Sequence, residues 1–313
     1  MAETEPQDGN SLPPAGGLKR TYSEEIVNAV GKTAFIVNVY RESENAAPQR
    51  HYVDTVGRCF INDYSRRTAH QMRELNPDAD LCVRIRTTFI DECLRDAIAG
   101  GCRQVLTLGA GFDTRALRLY QPGVSFYEVD QEGVICFKQQ ELKANGLPSP
   151  ATTIEGNYLL IDLFQELRSK GFRCDESVFV IWEGNSFYIP QGLMLSFVRQ
   201  LGRELPKCMI VMDHFLPEVI TLTTGDETMT KFAQGFAQMG APWVTGFSAV
   251  SLLNMLKSSA NNPDNPKQEL GGDAFVVRNS KAIRALAKDY YPSETLKQTT
   301  GDWYRMIVLA NNP

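Results

Sequence analysis

The chain has 313 residues, 43% of them hydrophobic, with 37 acids against 32 bases and a formal net charge of −5. That length and apolar content support a sizeable core in one large domain or two modest ones. The acidic balance gives no electrostatic reason to expect nucleic acid as a partner, and no window approaches the roughly 18 apolar residues of a membrane span, so no membrane is expected either.

Met1–Thr21 combines acids with Pro13-Pro14 and Gly16-Gly17 and has hardly an apolar anchor. This predicts a disordered tail, without the apolar stretch of a signal peptide, and a cytoplasmic location. From Tyr22 to about Ala79 apolar residues recur at helical spacing, as at Ile26, Val27, Val30, Ala34 and Val37, and we expect a helical cap over 22–79. Arg86–Ala99 is amphipathic, with Phe89, Ile90, Cys93, Leu94 and Ala97 on one side, and Gly100-Gly101 stops it.

From Gln104 onward strand and helix alternate. Val105, Leu106 and Leu108 form a short apolar strand that breaks at once into Gly109-Ala110-Gly111. A second strand, Ser125–Val129, ends at Asp130 and leads to a helix over Glu132–Asn145. Short strand three, near Thr152–Glu155, precedes a helix around Phe164–Lys170. Strand four, Val178–Trp182, runs into Glu183-Gly184, and a helix over Gly192–Leu205 leads to strand five, Cys208–Met212, followed by Asp213-His214. Repeated units of this kind predict a mostly parallel sheet covered on both faces. Beyond it, helices are expected over Glu227–Met239 and Ser248–Lys257, a polar surface loop over Ser258–Gly272, and two last strands, Ala274–Val277 and Trp303–Leu309, around a helix at Lys281–Tyr290. The pattern thus divides a single domain, 22–313, into the cap, a cofactor-binding core (80–214), an acceptor-side insertion (215–272) and closing strands (273–313). Nothing in it sets an oligomeric state.

Glycines directly after a buried strand let the backbone approach a ligand without a Cβ in the way. An acid at the tip of the second strand stands where a nucleotide-binding α/β sheet holds the hydroxyls of a ribose. Thr114 occupies the place of the third glycine in a dinucleotide fingerprint, and no Gly-Lys-Ser/Thr follows for a triphosphate. A Gly-rich turn plus a ribose acid, without phosphate machinery, suits S-adenosyl-L-methionine. An ordinary β–α turn is the plainer alternative. The seven cysteines (Cys59, Cys82, Cys93, Cys102, Cys136, Cys174 and Cys208) include no CxxC pair, and the three histidines cannot make a metal cluster, so free thiols and no metal are expected.

The strings LGAGFDTR, EVD, Asp162-Leu163 and WEGNSFYIP occur in an order that resembles the leucine carboxyl methyltransferase family, from about Ala29 to the C-terminus. Within it, Trp182-Glu183-Gly184 and Tyr188-Ile189-Pro190 are closer to the small-molecule O-methyltransferase branch, whose motif reads W-x-E-G-x-x-x-Y-L-P, with one residue fewer here ahead of Glu183. The branch that methylates the terminal leucine of a protein phosphatase usually has Glu-Cys where this chain has Glu183-Gly184. The resemblance implies a seven-stranded Rossmann-like class I methyltransferase sheet with S-adenosyl-L-methionine as cofactor. It also implies methyl transfer to a carboxylate or hydroxyl of a small molecule. Carboxyl methylation of a protein C-terminal leucine and a non-catalytic methyltransferase-like protein are the alternatives.

The resemblance further implies roles for single residues. Gly109 and Gly111 would pass beneath the amino-acid part of the cofactor, and Asp130 would accept both ribose hydroxyls. Asp162 and Leu163 would meet the adenine, although Asp162 is equally suited to cap a helix. Glu183 would pair with the cofactor's ammonium, and Lys32 and an arginine would serve its carboxylate. Two residues apart on a helix point to nearly opposite faces, so Arg84 and Arg86 cannot share that task. By distance from Gly109, Arg84 is the first choice and Arg86 the reserve. His214 has a suitable pKa for a catalytic base if the acceptor is a hydroxyl, whereas a carboxylate needs none. Tyr188, Trp243 and Phe247 are candidates to line an apolar acceptor pocket.

Overall fold

The computed structural model describes residues 24–258 and 275–311; the expected tail and nearly all of the expected polar loop lie outside them. Three long helices come first: α1 (Glu24–Glu42), α2 (Asp63–Leu75) and α3 (Ala79–Ala99). A reciprocal pair of bonds between Asn62 and Ser65 starts α2, satisfying backbone donors that a helix leaves open. α3 begins seven residues before the expected Arg86, because 79–85 continue the same buried surface, and Gly101 at φ +98° turns the chain away after it.

The strands are β1 (Gln104–Leu108), β2 (Ser125–Asp130), β3 (Thr152–Glu155), β4 (Val178–Trp182), β5 (Cys208–Phe215), β6 (Phe275–Ala282) and β7 (Tyr304–Asn311). The helices between them are α4 (Arg115–Arg118), α5 (Glu132–Ala144), α6 (Leu163–Ser169), α7 (Gln191–Glu204), α8 (Pro217–Ile220), α9 (Glu227–Gln238), α10 (Ala249–Ser258), α11 (Ile283–Tyr290) and α12 (Thr300–Trp303). One seven-stranded sheet results, in the order β3-β2-β1-β4-β5-β7-β6, with β7 antiparallel to both neighbours and the first five strands parallel. No helix among the described residues is long and apolar enough to cross a membrane.

Strand periodicity sorts the core into two layers. In β4, Phe179 and Ile181 join Ile85, Phe89 and Leu94 of α3, while Val180 and Trp182 join Met194, Phe197 and Leu201 of α7. β5 reaches Phe215, three residues past the expected Met212, so Asp213 and His214 lie within the strand and face opposite layers. β6 is likewise longer than the expected Ala274–Val277; a bulge between Val277 and Asn279 lets it continue to Ala282. The strand order reverses between β1 and β4. In open α/β sheets the crevice at that reversal, beyond the carboxyl ends of the strands, is the ligand position. Register brings Leu108 opposite Val129 and Thr107 opposite Ile181, so Gly109, Asp130 and Glu183 emerge together.

Candidate functional site

The crevice beyond β1 and β4 is lined by Gly109–Gly111, Asp130, Gly156–Leu159 and Glu183–Asn185 from the sheet, and by Ala34, Val37 and Arg41 from α1. Gly109 has φ +64° and Gly111 φ +49°, the left-handed region that disfavours side chains. A Cβ on Gly109 would run into the side-chain amide of Asn185, and one on Gly111 would stand 3.2 Å from Ala34 Cβ. The cradle is therefore shaped to backbone thickness. Asp130 braces it: Gly111 N–H donates to Oδ2 at 2.6 Å and Gln131 N–H to Oδ1 at 2.7 Å. Burial raises the Asp130 pKa, while those two amides and Lys138 oppose the rise.

The floor is a buried charge cluster around Glu183. Its Oε1 lies 2.7 Å from both Arg41 Nη2 and Arg86 Nε, and its Oε2 accepts from Arg115 Nη1 at 2.7 Å. The Oε1 contacts are charge pairs without hydrogen-bond alignment. Arg86 Nη1 also donates to Asp213 Oδ2 at 2.9 Å and to Tyr304 Oη at 2.6 Å, and Arg115 to Asp91 at 2.6 Å and to Asp113. Burial alone would raise the Glu183 pKa; Arg41, Arg115 and Arg86 outweigh it and hold the carboxyl well below its ordinary range.

A second, apolar chamber adjoins the crevice, and Thr33, Val37, Arg86, Gly184 and Tyr188 line both. Ile36 and Tyr40 of α1, Cys82 and Val83 of α3, Phe232 and Phe236 of α9, Phe215 and Trp243 complete its walls. Trp243 stacks on Phe215 at 4.1 Å, and Tyr304 stacks on the same ring at 4.7 Å.

Comparison with known proteins fits this geometry. The model of the family described as leucine carboxyl methyltransferase matches residues 28–201, more than half of the chain. The chain belongs to the leucine carboxyl methyltransferase family. A Mycobacterium ulcerans relative, provisionally named an S-adenosyl-L-methionine-dependent methyltransferase, is 36% identical over 138 residues, 42% of this chain and 45% of that protein. The chain thus spans about half the length of that relative. A DUF574 family protein from Streptomyces avermitilis has a similar structure, with a TM-score of 0.61 at 13% identity, covering 90% of this chain and 97% of the other. A protein from Thermobifida fusca, provisionally titled a methyltransferase, gives a TM-score of 0.55 at 12% identity over 89% of this chain and 95% of that one. At such identities the likeness is one of fold: the seven-stranded class I methyltransferase sheet.

In this family member the crevice gathers Gly109, Gly111, Asp130 and Glu183, but other expected residues stand elsewhere. Arg84 faces away, donating from Nε to Glu44 at 2.6 Å and through both Nη atoms to Glu294 at 2.9 and 2.8 Å, with its guanidinium over the Tyr291 ring. The reserve, Arg86, lines the crevice; the face of α3 that meets the sheet decides between them. Asp162 is exposed and caps α6 by accepting from Gln165 N–H at 3.1 Å, while Leu163 is buried in the layer of Trp182. The bend at 156–161 delays the helix, so Asn157, Tyr158 and Leu159 line the crevice where those two were expected. His214 is fully buried and stacks on Phe247 at 4.2 Å, on the layer opposite Asp213; burial pushes its pKa down to about 4. It lines neither cavity, and nor does Phe247, whereas Tyr188 and Trp243 line the chamber. The Lys32 side chain lies outside the described residues. Arg41 was missed by the sequence reading. Its signal is the helical stripe Ala34, Val37, Arg41, at spacings of three and four.

Proposed function

We propose that this protein binds S-adenosyl-L-methionine in the crevice and transfers its methyl group to the carboxylate of a small apolar acid held in the chamber. The residues fit such a cofactor. Gly109 and Gly111 hold a left-handed turn that a side chain would spoil, Asp130 ends the second strand, where such sheets hold a ribose, and Arg41 and Arg86 bring positive charge to the crevice for a carboxylate. When bound, the cofactor supplies an electrophilic methyl group on a sulfonium; alignment, electrostatics and exclusion of water fall to the protein. The provisional name of the mycobacterial relative supports the same chemistry.

The observation that carries the choice of acceptor is the chamber wall. Among the described residues it presents no His, Lys, Asp or Glu, and Arg86 is its one charged side chain. Burial pushes the Tyr188 phenol up to about 12 and raises Tyr40, Tyr304 and the Cys82 thiol, so none is a base near neutrality. A carboxylic acid, with an ordinary pKa near 4, is already ionised and needs none; a phenol, near 10, would. Side chains of α1, α3 and α9 wall the chamber and would shield an acceptor held there from water. These enclosing helices favour a small molecule. The family's name favours the second reading, methylation of a protein's terminal carboxylate.

The test is transfer of labelled methyl from the cofactor to a panel of apolar carboxylic acids, with matched phenols and alcohols, and to a peptide ending in leucine. The expected result is an alkali-labile methyl ester of a small acid. Its rate should vary less than about threefold between pH 6 and 9, and His214→Phe should keep it within about threefold, because no group in the chamber titrates there. Label confined to phenols, together with an inactive His214→Phe protein, would refute the carboxylate reading. Label confined to the peptide would move the protein to the second.

A further inference from the structure

The chamber wall is apolar apart from a few groups, and several of those are engaged elsewhere. Tyr40 Oη donates to the Ala69 carbonyl at 2.8 Å, and Tyr304 Oη donates to Asp213. Arg86 is shared between Glu183 and Asp213. Trp243 differs. Its ring packs among Phe215, Phe236 and Phe232, with centroids at 4.1, 4.9 and 5.6 Å. Yet its Nε1 is buried with no hydrogen-bond partner among the described residues. The indole N–H approaches the Tyr188 phenol, which Thr33 also meets, but without the alignment of a hydrogen bond. Thr33 and Tyr188 line both cavities, so this donor stands at their border. A phenylalanine would serve the aromatic cluster without burying an unpaired donor, which costs stability. An acceptor atom of a ligand at that border would satisfy the N–H.

We infer that Trp243 Nε1–H donates to one carboxylate oxygen of the methyl acceptor and selects acids over neutral molecules of the same shape. This rests on the carboxylate reading above. A hydrogen bond to a carboxylate is about twice as strong as one to a neutral oxygen, which gives the selection. The apolar body of the acid then lies against Ile36 and Tyr40 of α1 and Phe232 and Phe236 of α9, two pairs each one helical turn apart. With one oxygen held by the indole, the other is directed at the crevice. That oxygen forms the bond to the methyl carbon as the carbon–sulfur bond breaks, and the electron pair of the broken bond stays on sulfur. The negative charge of the acid and the positive charge of the sulfonium cancel, and no proton moves.

The experiment titrates the full-length protein, saturated with S-adenosylhomocysteine, with phenylacetate and hexanoate and with the alcohols of the same skeletons, 2-phenylethanol and 1-hexanol. Methyl esters formed from the two acids with S-adenosyl-L-methionine are measured in parallel. At pH 7 the unmodified protein should bind each acid about tenfold or more tightly than its alcohol. Trp243→Phe should cut that preference about fivefold or more, while the alcohols and S-adenosylhomocysteine stay within about threefold of their original affinities. If Trp243→Phe does not fold, the sulfur analogue of tryptophan, β-(3-benzothienyl)alanine, placed at position 243, carries the test, because it keeps both rings and lacks the N–H. An unchanged preference in whichever variant folds overturns this inference and leaves the carboxylate reading intact. Methylation of the acids without any preference for them in the unmodified protein does the same. Equal loss of acid and alcohol overturns it too, since that marks a packing role only. An unmodified protein that neither binds nor methylates either acid overturns the carboxylate reading and this inference together.

Discussion

Arg86→Ala is expected to weaken S-adenosylhomocysteine binding at least 100-fold and to abolish methyl transfer, whereas Arg84→Ala should leave both within about threefold. The two stand two residues apart on α3 and do different work. Arg86 joins the crevice to the chamber and holds Glu183 and Asp213 at 2.7 and 2.9 Å. Its loss removes a cation from the cofactor floor and leaves Asp213, whose pKa burial already raises, with Tyr304 and the Gly184 amide. Arg84 serves stability: it pairs with Glu44, which is fully buried, and with Glu294. Removing one partner of a buried pair costs about 3–5 kcal/mol, so Arg84→Ala should lower the melting temperature without changing the dissociation constant. Arg86→Lys separates charge from geometry and should recover only part of the binding, because an ammonium lacks the planar fork. If Arg84→Ala proved the more damaging to binding, the face of α3 assigned to the crevice would be wrong.

Glu183→Gln is the second large effect. One carboxylate there offsets three guanidiniums, each at 2.7 Å. Its neutral amide keeps the shape and removes the counter-charge, leaving Arg41 with no paired acid among the described residues. The expected loss is about 3–5 kcal/mol of unfolding free energy, read as a lower denaturant midpoint at unchanged slope. The pH dependence has a definite sign. The arginines hold the folded-state pKa well below the ordinary 4.5, so the stabilisation is fully present above that value and fades as pH falls through it toward the folded-state pKa. The gap between Glu183→Gln and the unmodified protein should therefore be constant from pH 8 to 6 and narrow below about 4.5. A Gln variant as stable as the parent at pH 7 would mean that the arginines find compensation elsewhere.

Much of this arrangement was legible in the sequence. Parallel strands buried on both faces read as short apolar runs, and β1, β2 and β4 stand out as such, with glycines or an acid at their tips. Those tips converge because strand order reverses between β1 and β4. The misplaced residues share a different cause. α3 is buried around most of its circumference, so its sequence does not reveal which face meets the crevice, and Arg84 and Arg86 look alike. The end of β5 is hidden because Asp213 and His214, polar in sequence, are both fully buried, and one further strand residue decides which layer each faces. Asp162 satisfies the requirements of a helix cap and of an adenine contact equally well until the bend before it is seen. Arg41 is not legible in the sequence because apolar residues alone define the helical stripe of α1, and a cation on the same stripe leaves that pattern unchanged.

The most direct measurement of the central claim is a calorimetric titration of the purified protein with S-adenosylhomocysteine and, separately, with NAD. A micromolar or tighter dissociation constant is expected for S-adenosylhomocysteine, with no heat from NAD and a loss of about 1–3 kcal/mol of binding free energy in Asp130→Ala, where the ribose hydroxyls lose a charged acceptor. Binding of NAD with silence toward S-adenosylhomocysteine would contradict it.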